Sequence, residues 1–227
     1  MTKKNLYLVL PIMLAGIAIS LFFMPKVGTL LELDRELIAR GELWRLFTGH
    51  WTHCSLNHLC WDVSCFMLLA LLCAKKSMKG FIMILGIASP IISVAVIWQC
   101  QEISSYRGLS GIDTALFVFF VLFCLKHAFI AGERLPTALF ILLLGGLAGK
   151  ILCELYGGVT LFCRPGDFIP VPVAHMTGII VGFAVFVFLA LFRPPMKEKG
   201  AAKKTTKVTD SNLHTKFYDF RILHCPL

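Results

Sequence analysis

Charge is what this 227-residue chain has least of: 15% of its residues are Asp, Glu, Lys or Arg, and only 13 are acidic. Soluble domains carry roughly 25% charged residues. With 57% hydrophobic residues and a mean hydropathy of +0.79, the shortage excludes an ordinary soluble fold. Also missing, despite nine cysteines, is any CxxC pair, and no HExxH occurs, so zinc ribbons, dithiol redox centres and zincin-type proteases drop out. His50 and His53 precede His58 without a fourth ligand; loop packing is their expected role, and neither a metal nor another cofactor is expected. No small-x-small cleavage site follows Leu21-Phe22-Phe23-Met24-Pro25, so the first apolar run reads as a retained helix and not as a signal peptide.

What the chain does have is apolar length. Six runs, at about 6–24, 58–74, 80–98, 108–129, 136–156 and 172–192, are each long enough to cross a bilayer as a helix. The fold class is therefore an all-α polytopic membrane protein, with a six-helix membrane domain over residues 1–192 and a basic tail over 193–227. The net charge of +9 is distributed as the positive-inside rule requires. Lys75, Lys76, Lys79, Lys126 and Arg134 fall on the side of both termini, and only Arg107 and Arg164 lie in the opposite short loops. Both termini are expected in the cytoplasm, and nucleic acid is not an expected partner. The long first connection, 26–57, interleaves charges with large apolar residues. That pattern predicts short amphipathic pieces at the interface, anchored by Trp44 and Trp51. Cys60, Cys65, Cys73, Cys124 and Cys153 are expected to be small core residues. Cys54, Cys100 and Cys163 fall in outward loops, where a disulfide remains open.

The few ionisable residues inside the spans are not scattered. At about 1.5 Å per residue, Ser110, Glu154, His175, Asp62, Asp113 and Lys150 lie about 3–9 Å below the outer surface. Intramembrane charge faces other polar groups or a wet cavity. A cavity open to the exterior, walled by the second, fourth, fifth and sixth spans, is the expectation. A transport path needs polar residues across the whole membrane, which disfavours a transporter.

Ser110 stands in Gly108-Leu109-Ser110-Gly111 at the mouth of the fourth span, and His175 opens the sixth. The G-x-S-G string alone is weak, and a capping serine among packing glycines would explain it. Paired with a histidine at similar depth it suggests acyl transfer, because serine needs a base to take its proton. The Ser110 backbone N–H, in the unpaired first turn of a helix, suits an oxyanion, and His58 is a plausible second donor. Gly178 and Gly182 share the face of His175, and Gly111 and Ala115 follow Ser110; two small-xxx-small surfaces let helices pack closely in lipid. Lys150 and Glu154 have the spacing of an i,i+4 ion pair, or could help receive a substrate. Asp113 could complete a triad with His175, or pair with Lys150, which is the favoured alternative.

Taken together, these residues resemble the rhomboid intramembrane serine proteases. The likeness runs through Glu42-Leu43-Trp44-Arg45, His53, His58-Leu59-Cys60-Trp61-Asp62, Gly108-Leu109-Ser110-Gly111, and Ala174-His175 with Gly178 and Gly182. It implies a Ser110–His175 dyad without a third acid, His58 in the oxyanion site, and membrane-anchored protein substrates. Two positions depart from the family pattern: Asp62 stands where the family has an oxyanion asparagine, and Thr114 where a tyrosine packs on the catalytic histidine. Asp62 is either protonated or an orienter of His58. With the Trp61-Asp62 pair and the compact core, the departures look like the rhombosortase branch. That implies a multi-pass protein of the bacterial inner membrane that processes secreted proteins with Gly-Gly, apolar-helix, basic-cluster tails. The alternative is a catalytically inactive relative that binds and sorts transmembrane helices.

Overall fold

The computed structural model describes residues 3–157 and 171–192. The basic tail 193–227 and the loop 158–170, with Cys163 and Arg164, lie outside the described residues.

Six long helices form the bundle: α1 (Lys3–Phe22), α5 (Leu56–Lys76), α6 (Met78–Gln99), α7 (Ser110–Ile130), α8 (Arg134–Gly157) and α9 (Pro172–Leu191). Each is long and apolar enough to cross a membrane. The chain is thus an integral, multi-pass membrane protein, and the six expected spans are the six found, within a few residues at each end. Their starts follow local chemistry. Ser55 caps α5 by accepting from His58 N at 3.1 Å, and Ser77 caps α6 by accepting from Gly80 N at 3.1 Å. α9 opens on Pro172, whose missing N–H is no loss in a first turn.

The first connection folds into short pieces, α2 (Pro25–Leu31), α3 (Arg35–Ala39), α4 (Arg45–Thr48) and a 3₁₀ turn at Gly49–Trp51. Arg45 holds them together. It is buried, and its guanidinium donates to the carbonyls of Thr29 (3.0 Å) and Glu32 (2.8 Å) and to the Glu42 carboxylate (2.7 Å). A feature absent from the sequence reading is a two-residue ribbon, in which β1 (Leu33–Asp34) pairs antiparallel with β2 (Ser105–Tyr106). Two-residue strands carry no periodicity to read. Arg107 bonds Glu32 beside it, so the first connection is fastened to the segment that leads into Ser110. Trp44 is half exposed, as an interfacial anchor would be. Trp51 is partly buried and packs edge-on against Phe66 of α5, with ring centroids 5.5 Å apart.

Packing is uneven. In the most apolar 18-residue stretch of α7, 56% of residues are buried, against 11% in that of α8. α7 lies among α5, α6, α8 and α9, and its closest seam is with α9. A Cβ added at Gly178 would strike the carbonyl oxygen of Gly111, and one at Gly182 would strike that of Ala115. The two small-residue surfaces do face one another, and backbone meets backbone along them. The outer helices keep apolar flanks, including Ile12 and Met13 of α1 and Leu135 and Leu142 of α8. Two of the five cysteines expected in the core, Cys73 and Cys124, are buried; Cys60 and Cys153 are exposed on helix flanks, and Cys65 is exposed in the wall of a cavity. A membrane span can put a small apolar residue on its outer face at no loss, so composition could not separate the two groups. Cys54 and Cys100 are free thiols.

Candidate active site

The N-terminal ends of α5, α7 and α9 and the C-terminal end of α8 converge on one cavity of about 690 Å³. Its wall includes Ser110, His175, His58, Asp62, Asp113, Lys150 and Glu154, so every ionisable candidate from the spans meets there. The chain brings them together because α5, α7 and α9 start at the same end of the bundle, while α8 finishes there.

Ser110 is the first residue of α7, which places its N–H in the turn that has no intrahelical acceptor. The residue before it, Leu109, is already paired: its N–H donates to Asp62 Oδ2 at 2.7 Å. The same oxygen lies 3.1 Å from His58 Nε2 and 3.3 Å from His53 Nε2, the latter off the line of a hydrogen bond. Asp62 therefore ties α5 to the turn before Ser110 and holds the His58 ring against it. A single Nε2–H cannot serve Asp62 and an oxyanion at once, so in this arrangement His58 is engaged with Asp62. Gly108 makes the approach possible. Its φ of +122° is in glycine's range, and a Cβ there would sit 2.7 Å from His58 Nε2 and 3.1 Å from Asp62 Oδ2.

His50 is packed behind the same turn. Its Nε2 lies 2.9 Å from the Ser89 carbonyl and 3.1 Å from Ser93 Oγ, and Nδ1 lies 3.3 Å from the Gly108 carbonyl. Burial lowers its pKa below the usual histidine value, against the pull of the two carbonyls. His50 and His53 are both buried in the packing of the loop. Tyr106, which the sequence reading passed over, sits edge-on to His50 with centroids 5.6 Å apart. Burial pushes its phenol up, the Asp62 charge adds to this, and a hydrogen bond with the Ser110 side chain works against it. Four residues ahead of the serine, in a stretch without motif, it offered no signal. Thr114, in place of a tyrosine, turns back on its own helix and donates to the Ser110 carbonyl at 2.8 Å.

On the other wall, His175 Nδ1 lies 2.7 Å from Glu154 Oε2. Lys150 Nζ bonds Glu154 Oε1 and stands 3.3 Å from the same Nδ1. The i,i+4 pair expected within α8 is present, and it reaches across to α9 as well. The favoured Asp113–Lys150 pair is not formed, because Glu154, one turn along the same helix, captures the ammonium. Nor does Asp113 stand at the imidazole nitrogen that an acid of a triad would occupy; that position belongs to Glu154. Asp113 is buried, and its Oδ1 has no hydrogen-bond partner among the described residues.

No curated protein matches the chain. The family comparison does: residues 40–192, well over half the sequence and all the elements from α4 to α9, match the Rhomboid domain. A six-helix membrane bundle with a serine at the head of one buried helix, a histidine at the head of the next-packed one, and that domain match together place this chain in the rhomboid family.

Proposed function

We propose that this protein is an intramembrane serine endopeptidase in which Ser110 is the nucleophile and His175 the base. One observation carries the reading: Ser110 and His175 open two helices whose backbones meet at Gly178–Gly111 and Gly182–Ala115, and both line one cavity. Ser110 Oγ attacks the carbonyl carbon of the scissile peptide and its proton passes to His175 Nε2. The oxyanion is met by the Ser110 N–H at the positive end of α7. Collapse breaks the C–N bond, His175 returns the proton to the departing amine, and water then hydrolyses the acyl ester by the same two groups. His58 joins the oxyanion site when its Nε2–H leaves Asp62; Asp62 holds it until then.

The substrates are membrane-anchored proteins, met near the outer face of a bacterial cell membrane, with both termini of this chain on the cytoplasmic side. Asp62 and Thr114 at the two departing positions favour the rhombosortase type, and with it substrates that end in a Gly-Gly, apolar-helix, basic-cluster tail. Asp62 also sustains the non-catalytic, helix-sorting alternative, since a charge beside the serine opposes an oxyanion unless His58 neutralises it.

A fluorescent fluorophosphonate on the detergent-solubilised protein tests this directly. Labelling of the native chain, lost in Ser110→Ala and in His175→Ala, is the expected result. Labelling that persists in Ser110→Ala places the nucleophile elsewhere, and a folded native chain that never labels is the result of the sorting alternative.

A further inference from the structure

α8 is the least buried of the helices around the site, and only two of its residues, Ile151 and Glu154, are buried. A glutamate is an unlikely choice for one of only two inward positions if its task is to pair with a lysine on its own helix, because that pair forms equally well at the surface. The geometry at His175 supplies a different task. A carboxylate can only accept hydrogen bonds. With Glu154 Oε2 at 2.7 Å, Nδ1 must carry a proton, since a bare Nδ1 would set two lone pairs against each other. Lys150 could donate to Nδ1 only in that excluded tautomer; the bond it makes is to Oε1. Each carboxylate oxygen therefore has one donor, Lys150 on Oε1 and His175 on Oε2.

We propose that Glu154, braced by Lys150, is a positioning residue for His175: it fixes the ring and its Nδ1–H tautomer, leaving Nε2 as the free base. The inference rests on the Ser110–His175 reading and replaces its two-residue machinery with a third group contributed by α8. Fixing the tautomer matters because an unheld imidazole divides its proton between the two nitrogens and turns about its side-chain bond. When His175 takes the serine proton, the imidazolium so formed also lies against the carboxylate. The added proton stays on Nε2, and Glu154 remains ionised.

Two measurements test this. The first is the fluorophosphonate labelling rate at mildly alkaline pH for the native chain, Glu154→Asp and Glu154→Gln. Gln has the same volume but can turn its NH₂ toward Nδ1 and favour the wrong tautomer. Loss of the oriented carboxylate is expected to lower the rate about 10²- to 10⁴-fold in Glu154→Gln, with Glu154→Asp between the two. A Glu154→Gln chain that labels at the native rate overturns the inference and leaves the protease reading standing. A native chain that does not label removes both. The second needs no folded variant of Glu154. In ¹⁵N-histidine spectra of the native protein, with His175 assigned by its loss in His175→Ala, Nδ1 should carry the proton and Nε2 none at mildly alkaline pH. The reverse tautomer overturns the inference.

Discussion

A methyl group at residue 178 is the most direct probe of how the two walls of the site are held together. In the native seam the Gly178 Cα faces the Gly111 carbonyl so closely that an added Cβ would overlap it, and Thr114 Cβ stands 3.1 Å from the same point. The struck atom is backbone, in the first turn of α7, so no rotamer change relieves it. α9 must move off α7 by about 1 Å. Overpacking of this kind costs about 1–3 kcal/mol, and at about 2–4 °C per kcal/mol for a chain of this size it lowers the unfolding temperature by several degrees. Separation by that distance also misaligns Ser110 and His175, and a displacement of about 1 Å is enough to cost about 10²-fold in rate. Gly178→Ala should therefore show both a lower unfolding temperature in detergent and slower fluorophosphonate labelling. Gly145→Ala is the control, because a Cβ there meets nothing within 4 Å and the residue lies outside the cavity wall. If Gly178→Ala matches the native chain in both assays, the α7–α9 seam does not set the site's geometry.

Two further outcomes follow from the turn before Ser110. Asp62→Ala strands the buried Leu109 N–H and takes the carboxylate away from the His58 ring, which should destabilise by about 3–5 kcal/mol. Asp62→Asn keeps one acceptor for Leu109 and should retain labelling, so equal loss in both variants would show that the charge itself is required. His50 gives a pH dependence. Its native pKa lies below its unfolded value of about 6.5 because burial disfavours the charged ring. The unfolded chain then binds more protons, so this stability is fully present above about pH 6.5 and drains away as pH falls through the lowered native value. His50→Gln should be less stable near neutrality yet lose less on acidification, measured as unfolding temperature against pH; parallel curves for the two proteins would refute the assignment.

How much of this could be read from the sequence depended on the length of each signal. The six spans were legible because twenty apolar residues in a row have few other uses. The gathering of Ser110, His175, Asp62, Asp113, Lys150 and Glu154 at one level followed from counting residues along helices of alternating direction. What counting could not supply was azimuth. Whether Lys150 turned toward Asp113 or stayed with Glu154, and whether either acid met His175, depends on the rotation of α8. A helix apolar on nearly every face does not declare that rotation. The ribbon between Leu33–Asp34 and Ser105–Tyr106, and the place of Tyr106 beside Ser110, were hidden for another reason. They arise from pairing across more than seventy residues, in segments too short to have a pattern of their own. The cysteines on helix flanks show the same limit: in lipid, facing outward and facing inward ask for similar side chains.

The order in which the walls of the cavity appear has a consequence for biosynthesis. The ribbon, the Arg45 knot and the Asp62–Leu109 bond all join segments that precede Ile130, so the turn before Ser110 can be fastened while the ribosome is still making α8. α9 arrives last, and it carries the residue assigned here as the base. Until α9 enters the seam between α6 and α7, the nascent chain holds Ser110 without His175. On the protease reading, insertion of α9 is then also the step that supplies the base.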